Sequence, residues 1–180
     1  MKKIVLASML ALAAAVPGFA TDRPMKDGGA LAKDDQGFIT QAALTDMTEI
    51  EVAKLARDRA AGSDVKTFAE HMIEDHTKSS GELKTLASSK GATVPDMLDA
   101  RHKAMVDKLG KAKQDKFDDA YMDLNVKAHK QAIGLFEKEA KNSKDSDLRA
   151  FAEQTLPTLR SHLEMAKGLD KKKDHSHGKP

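Results

Sequence analysis

Cysteine is absent from the 180-residue chain, so neither disulfides nor thiolate metal sites enter its chemistry. Tryptophan is absent too, tyrosine occurs once, at Tyr121, and aromatic residues make up 4% of the chain. A sheet stabilised by aromatic and β-branched pairs has little to draw on here. Net charge is nearly missing as well: 30 basic and 28 acidic residues leave a formal +2. Both surplus charges, Lys2 and Lys3, lie in the first twenty residues, so the rest balances at 28 against 28. Without a basic excess there is no electrostatic footprint for nucleic acid, and none is expected as a partner. No later run is apolar enough to cross a bilayer, so the mature chain is expected to carry no integral membrane segment. Neither a Gly-rich phosphate loop nor a Ser/His/Asp set stands out, which weighs against hydrolase or nucleotide chemistry and against an enzyme generally.

What is present begins with a secretory signal peptide, expected over residues 1–20. Lys2 and Lys3 precede the apolar run Ile4 to Val16, and the small residues Gly18 and Ala20 set a cut after Ala20. The absence of a following cysteine excludes a lipid anchor, and the expected location is the periplasm. Residues 21–34, rich in Gly, Pro and charge, read as a disordered leader, and residues 171–180, KKKDHSHGKP, as a disordered tail.

Between them, residues 35–170 read as one all-α domain. Ala, Leu, Lys, Glu and Asp dominate, a composition that favours helices. The first helix is expected from about Asp35 to Ala61, with Phe38, Ala42, Thr45, Val52, Ala53 and Ala56 on one face. Gly62 is expected to cap it, and Ser63 to open a second helix reaching Lys90. After Gly91 comes a connection of some twenty residues holding a short amphipathic helix near Pro95–Leu109. The third long helix is expected over Gln114–Lys141 and the fourth over Asp147–Leu169, the latter interrupted by Pro157. An internal repeat supports this division: Ser63 to Glu70 (SDVKTFAE) returns as Ser146 to Glu153 (SDLRAFAE), each just after a helix end. Two hairpins joined by a long crossover make a ferritin-like four-helix bundle, with the short helix in the crossover between helices 2 and 3.

The segment FAEHMIEDH (Phe68 to His76), the spacing of Tyr121, His129 and Phe136-Glu137, and the run FAEQTLPTLRSHLEMA (Phe151 to Ala166) resemble the domain-of-unknown-function 4142 family. The resemblance covers roughly residues 38–169. It implies an exported ferritin-like bundle of the outer membrane or periplasm and no established activity, so function has to be argued from a site.

Four polar residues interrupt the apolar stripes, one per long helix: Glu49, His76, His129 and His162. Glu49 lies thirteen residues before Gly62 and His76 fourteen after it, while His129 sits mid-helix. One layer at the bundle centre is therefore expected to hold all four, with Glu49 facing His129 across the axis. His71 is expected to point outward, and His102 to lie in the crossover. A carboxylate and three imidazoles in a dry interior have to pair, bind a metal or shift their protonation. Such a donor set suits zinc, copper or iron. The Glu-x-x-His pattern of di-iron bundles is missing, since Ile73, Val126 and Leu159 stand three before the histidines. Met72 and Met165, each one turn from a histidine, would turn the selection toward copper(I), although Met is also a routine core filler. His175 and His177 in the tail are a weaker metal-collecting pair. Two other readings compete with a metal-binding bundle for metal handling or stress protection. One is a non-enzymatic envelope interaction or stress protein whose core histidines only fix helix register. The other is a binder of small molecules in the bundle interior.

Overall fold

The computed structural model describes residues 31–176, with side chains through residue 171. The signal peptide, most of the leader and the His175/His177 side chains lie outside the described residues. Within them the chain is all-α: α1 Lys33–Arg59, α2 Ser63–Ser89, α3 Ala100–Gly110, α4 Gln114–Asn142 and α5 Ser146–Ser176. None of these helices is long and apolar enough to cross a membrane. The tight connections α1–α2 and α4–α5 fold each pair back on itself, and these are the most extensive packings. The pairs join through α1 against α4 and α2 against α5, while α3 lies mainly on α1 and touches α4.

The long helices bury two apolar clusters, one toward each end. The first joins Phe38 and Ile39 to Leu83, Phe136, Leu148 and Phe151, with edge-on ring contacts of Phe38 to Phe136 and Phe151. The second joins Val52 and Ala56 to Phe68, Met72, Phe117, Tyr121 and Ala166, and takes in Leu109 of α3. Full burial of each large side chain contributes roughly 1.5–3 kcal/mol. The middle turns of all four long helices belong to neither cluster. Polar side chains fill that level.

Several helix ends differ from the sequence reading. Gly62 has ordinary φ and precedes α2 as its N-cap, without a side-chain cap from Ser63. The exposed turn is capped from another helix: Asp118 of α4 accepts from the Ala61 amide at 3.1 Å and the Gly62 amide at 2.9 Å. A partner distant in sequence made the local cap unnecessary. Gly91, with φ +63°, does close α2 as its spacing implies. α3 starts at Ala100 rather than near Pro95, because Asp99 caps it by accepting from the His102 amide at 2.8 Å. α5 runs through Pro157 and on to Ser176, past the expected stop at Leu169 and into the tail. Residues 169–174 include no proline or glycine that would stop the helix.

Asp118→Ala strips two amide donors of their acceptor and is expected to destabilise the protein by about 1–2 kcal/mol. Asp123→Ala, which removes only an exposed pair with Lys127, is expected to cost under about 0.5 kcal/mol. Urea denaturation midpoints compare the two, and equal losses would show that the Asp118 cap carries no special weight.

Candidate metal centre

Three histidines meet at the polar level between the clusters, and each is held by a hydrogen bond on one side of its ring. His76 of α2 is 3% exposed, and its Nδ1 lies 2.8 Å from Asp46 Oδ1 of α1. His129 of α4, 1% exposed, directs Nδ1 at the Asn125 carbonyl of its own preceding turn, 3.0 Å away. His162 of α5, also 1% exposed, places Nε2 2.9 Å from Asp75 Oδ2 of α2. Carboxylates and carbonyls accept, so each of these ring nitrogens donates its N–H. The other nitrogens, His76 Nε2, His129 Nε2 and His162 Nδ1, are buried and have no hydrogen-bond partner.

The rings face one another. Their centroids are 5.6 Å apart for His76–His129, 5.5 Å for His76–His162 and 5.3 Å for His129–His162. One ligand atom from each lies within 4.8 Å of the other two. Donors at about 2.0–2.1 Å around a tetrahedral ion sit roughly 3.4 Å apart, so at most about 1 Å of closure per ring brings three nitrogens onto one centre. Among the described residues no carboxylate oxygen belongs to that group.

Burial and neighbouring charge set the protonation. Desolvation, reinforced by the other two imidazoles, pushes His129 down to about 3, so it is neutral at any physiological pH. His162 is also lowered, burial outweighing the hydrogen bond it donates to Asp75. His76 is the exception: burial lowers it, but the Asp46 hydrogen bond and charge, with Glu49 and Asp75, outweigh that and raise it. Burial lifts Glu49 to about 7 despite the opposing His76. Tyr121 is raised by burial and by Glu49. Its hydroxyl, Glu49 Oε2 and Asn125 Oδ1 have no partner. The chemistry on offer is two imidazole lone pairs pointing inward, from His129 and His162, and a third from His76 once it gives up the proton that Asp46 and Glu49 favour on it.

Of the four residues singled out by helical spacing, His76, His129 and His162 are brought together. Glu49 is buried at the same level, 1% exposed, and interacts electrostatically with His76, yet it lies outside the three-nitrogen group. The expectation that Glu49 and His129 face each other across the axis is overturned. Their helices, α1 and α4, are packed neighbours, so the two residues come from adjacent helices, and the helix diagonal to α4 is α2, which carries His76. Met72 is fully buried in an apolar cluster, whereas Met165 is 38% exposed. His71 is exposed, as its position on the wheel implies.

Sequence reasoning missed Asp46 and Asp75. Asp46 was legible: it falls three residues before Glu49 and four after Ala42, on the same inner stripe. Asp75, at a half-exposed edge, had no periodic signal. His102 lies in the crossover, on α3, and is buried there, its Nδ1 2.7 Å from Asp99 Oδ1 and its Nε2 3.3 Å from Gln41 Nε2.

The fold resembles known structures. A DUF305 fragment from Deinococcus radiodurans superposes with TM-score 0.71 at 12% identity, covering 80% of this chain and 99% of that one. CopM in the Cu(II)-bound form matches with TM-score 0.67 at 20% identity, covering 77% of this chain and 96% of that one. The Cu(I)-bound form gives 0.65 at 19% identity with the same coverage. At such identities the likeness is one of fold. No curated protein matches significantly. Residues 20–169 match the family described as domain of unknown function (DUF4142), and the chain belongs to that family.

Proposed function

We propose that this chain is an exported, periplasmic metal-binding protein, a ferritin-like four-helix bundle with α3 in its crossover. It binds one transition-metal ion through His76 Nε2, His129 Nε2 and His162 Nδ1. Its role is metal handling or stress protection in the envelope, without catalysis. The observation that carries this reading is the sidedness of the rings. In each, one nitrogen donates to Asp46, Asp75 or the Asn125 carbonyl, and the other is buried without a partner. That is how metal-binding histidines are oriented, the outer hydrogen bond fixing the tautomer and raising the basicity of the inner nitrogen. A layer that served only to fix helix register gains nothing from three unpaired nitrogens pointing at each other, since each unmade hydrogen bond costs about 1–3 kcal/mol.

Three protein ligands leave a further coordination position. Glu49 supplies negative charge beside the site and is placed to offset that of the cation. Copper is the ion to test before zinc and iron: imidazole suits it, divalent copper binds such donors most tightly of the three, and the CopM structures of similar fold carry it. Protein purified without a histidine tag and stripped by chelator is titrated with Cu(II), Zn(II) and Fe(II), with calorimetric and elemental readouts. One equivalent of copper per chain is expected. If no ion binds stoichiometrically, the metal reading is wrong and the histidines are structural.

A further inference from the structure

The three histidines are sealed from solvent, with apolar clusters on either side of them along the bundle. An ion that binds there needs a way in. Beneath α3, where it bridges α1 and α4, lies a cavity of about 130 Å³, room for several waters. Its lining includes Gln41, Thr48, Glu49, His102, Gln131 and Arg101. Polar side chains from three helices suit a hydrated space far better than an empty one.

Glu49 and His102 give the cavity direction. Glu49 is fully buried and belongs both to the cavity lining and, through its field on His76, to the surroundings of the cluster. Its Oε2 has no partner. His102, toward α3, has Nδ1 engaged by Asp99, the same carboxylate support that His76 and His162 receive. Its Nε2 meets only the Gln41 amide, at 3.3 Å. Arg101, exposed on α3, places a positive charge in the same lining.

Resting on the metal reading above, we infer that a divalent cation reaches the three-histidine centre through this cavity, taken up in transit first by His102 and then by Glu49. The cavity is a transient cation site whose outer wall is α3 and whose inner wall is the Glu49 carboxyl. Arg101 opposes the approaching charge and slows loading. The competing route is the opposite edge, where Asp75, 42% exposed, holds the outer nitrogen of His162.

The test is the rate of Cu(II) uptake by the full-length mature protein, followed in stopped flow by quenching of Tyr121, the sole tyrosine in a chain without tryptophan. Equilibrium affinity is measured alongside. Ala128→Met, which fills the cavity, and His102→Leu, which keeps volume but removes the donor, are each expected to slow uptake at least tenfold with affinity changed less than threefold. Arg101→Gln is expected to speed uptake several-fold at low salt and hardly at all at high salt, where exposed charges are screened. Unchanged rates in both Ala128→Met and His102→Leu, or slowing by Asp75→Asn alone, overturn this route and leave the metal site standing. A parent protein that binds no Cu(II) overturns the site and the route together.

Discussion

His76→Ala is expected to abolish the stoichiometric copper binding proposed for the three-histidine centre, while His71→Ala leaves it intact. The two residues share α2 and lie five positions apart. His71 is exposed, however, and His76 contributes an inward nitrogen that has no other partner. Losing one of three ligands should cost more than the ten- to hundred-fold typical of an outer-shell loss, roughly a hundred-fold at least. Asp46→Asn provides the graded case. It keeps the side chain's shape and removes the carboxylate that fixes His76 at 2.8 Å, for an expected ten- to hundred-fold weakening. Thermal melting gives an independent readout. Copper at about 100 times its Kd should stabilise the parent by about 2.7 kcal/mol, raising Tm by roughly 5–10 °C for a domain of this size. His71→Ala should keep that rise and His76→Ala should lose it. Equal loss in both variants would place the copper on the surface and remove the internal site.

The order of the helices was legible because it rests on local signals: apolar spacing, Gly91, and the repeat that opens α2 and α5. The ends were misplaced where tertiary partners act, as with Asp118, which caps the α1–α2 turn from α4. The three histidines were legible for a related reason. A helical period reports which face of its own helix a residue occupies, and each histidine interrupts an apolar stripe. Period says nothing about how four helices are arranged around an axis, so the pairing of Glu49 with His129 went astray. The outer hydrogen bonds were the least legible part. Asp75 lies beside His76 in sequence but serves His162 on another helix, a relation that exists only once α2 and α5 have docked. His102 has its carboxylate, Asp99, three residues away at the cap of its own helix, but its burial and its contact with Gln41 exist only where α3 lies on α1.

Glu49→Gln is expected to make the metal-free protein more stable and its metal binding weaker, with a distinctive dependence on pH. Burial raises the Glu49 carboxyl from 4.5 to about 7. Between those values the folded state holds a proton that the unfolded chain has released, so stability from this group falls as pH rises and the penalty is complete above about 7. His129 works the other way. It is lowered from 6.5 to about 3, so the unfolded chain binds the extra proton in that window and stability rises with pH across it. From about 4.5 to 6.5 the two slopes oppose each other, and their combined contribution in the parent should be flat. Glutamine keeps the shape of Glu49 and removes one slope. The stability difference between variant and parent should then grow from almost nothing at pH 4 to about 3 kcal/mol at pH 8, since 2.5 pK units correspond to about 3.4 kcal/mol. Glu139, also raised to about 7 by burial beside Asp35, titrates alike in both proteins and drops out of the comparison. Urea denaturation of chelator-treated protein at pH 4, 6 and 8 measures this, and a gain independent of pH would mean that Glu49 is not a buried titrating carboxyl. The same substitution removes a negative charge next to the cation in a low-dielectric interior, where its attraction is strong. Copper affinity at pH 8 should therefore fall by at least about tenfold, or ~1.4 kcal/mol, even though the fold has become more stable. A parent that retains a carboxylate which destabilises the metal-free protein is accounted for if the protein is not meant to stay metal-free. Unchanged affinity in Glu49→Gln would remove that account and leave Glu49 with no part in the site.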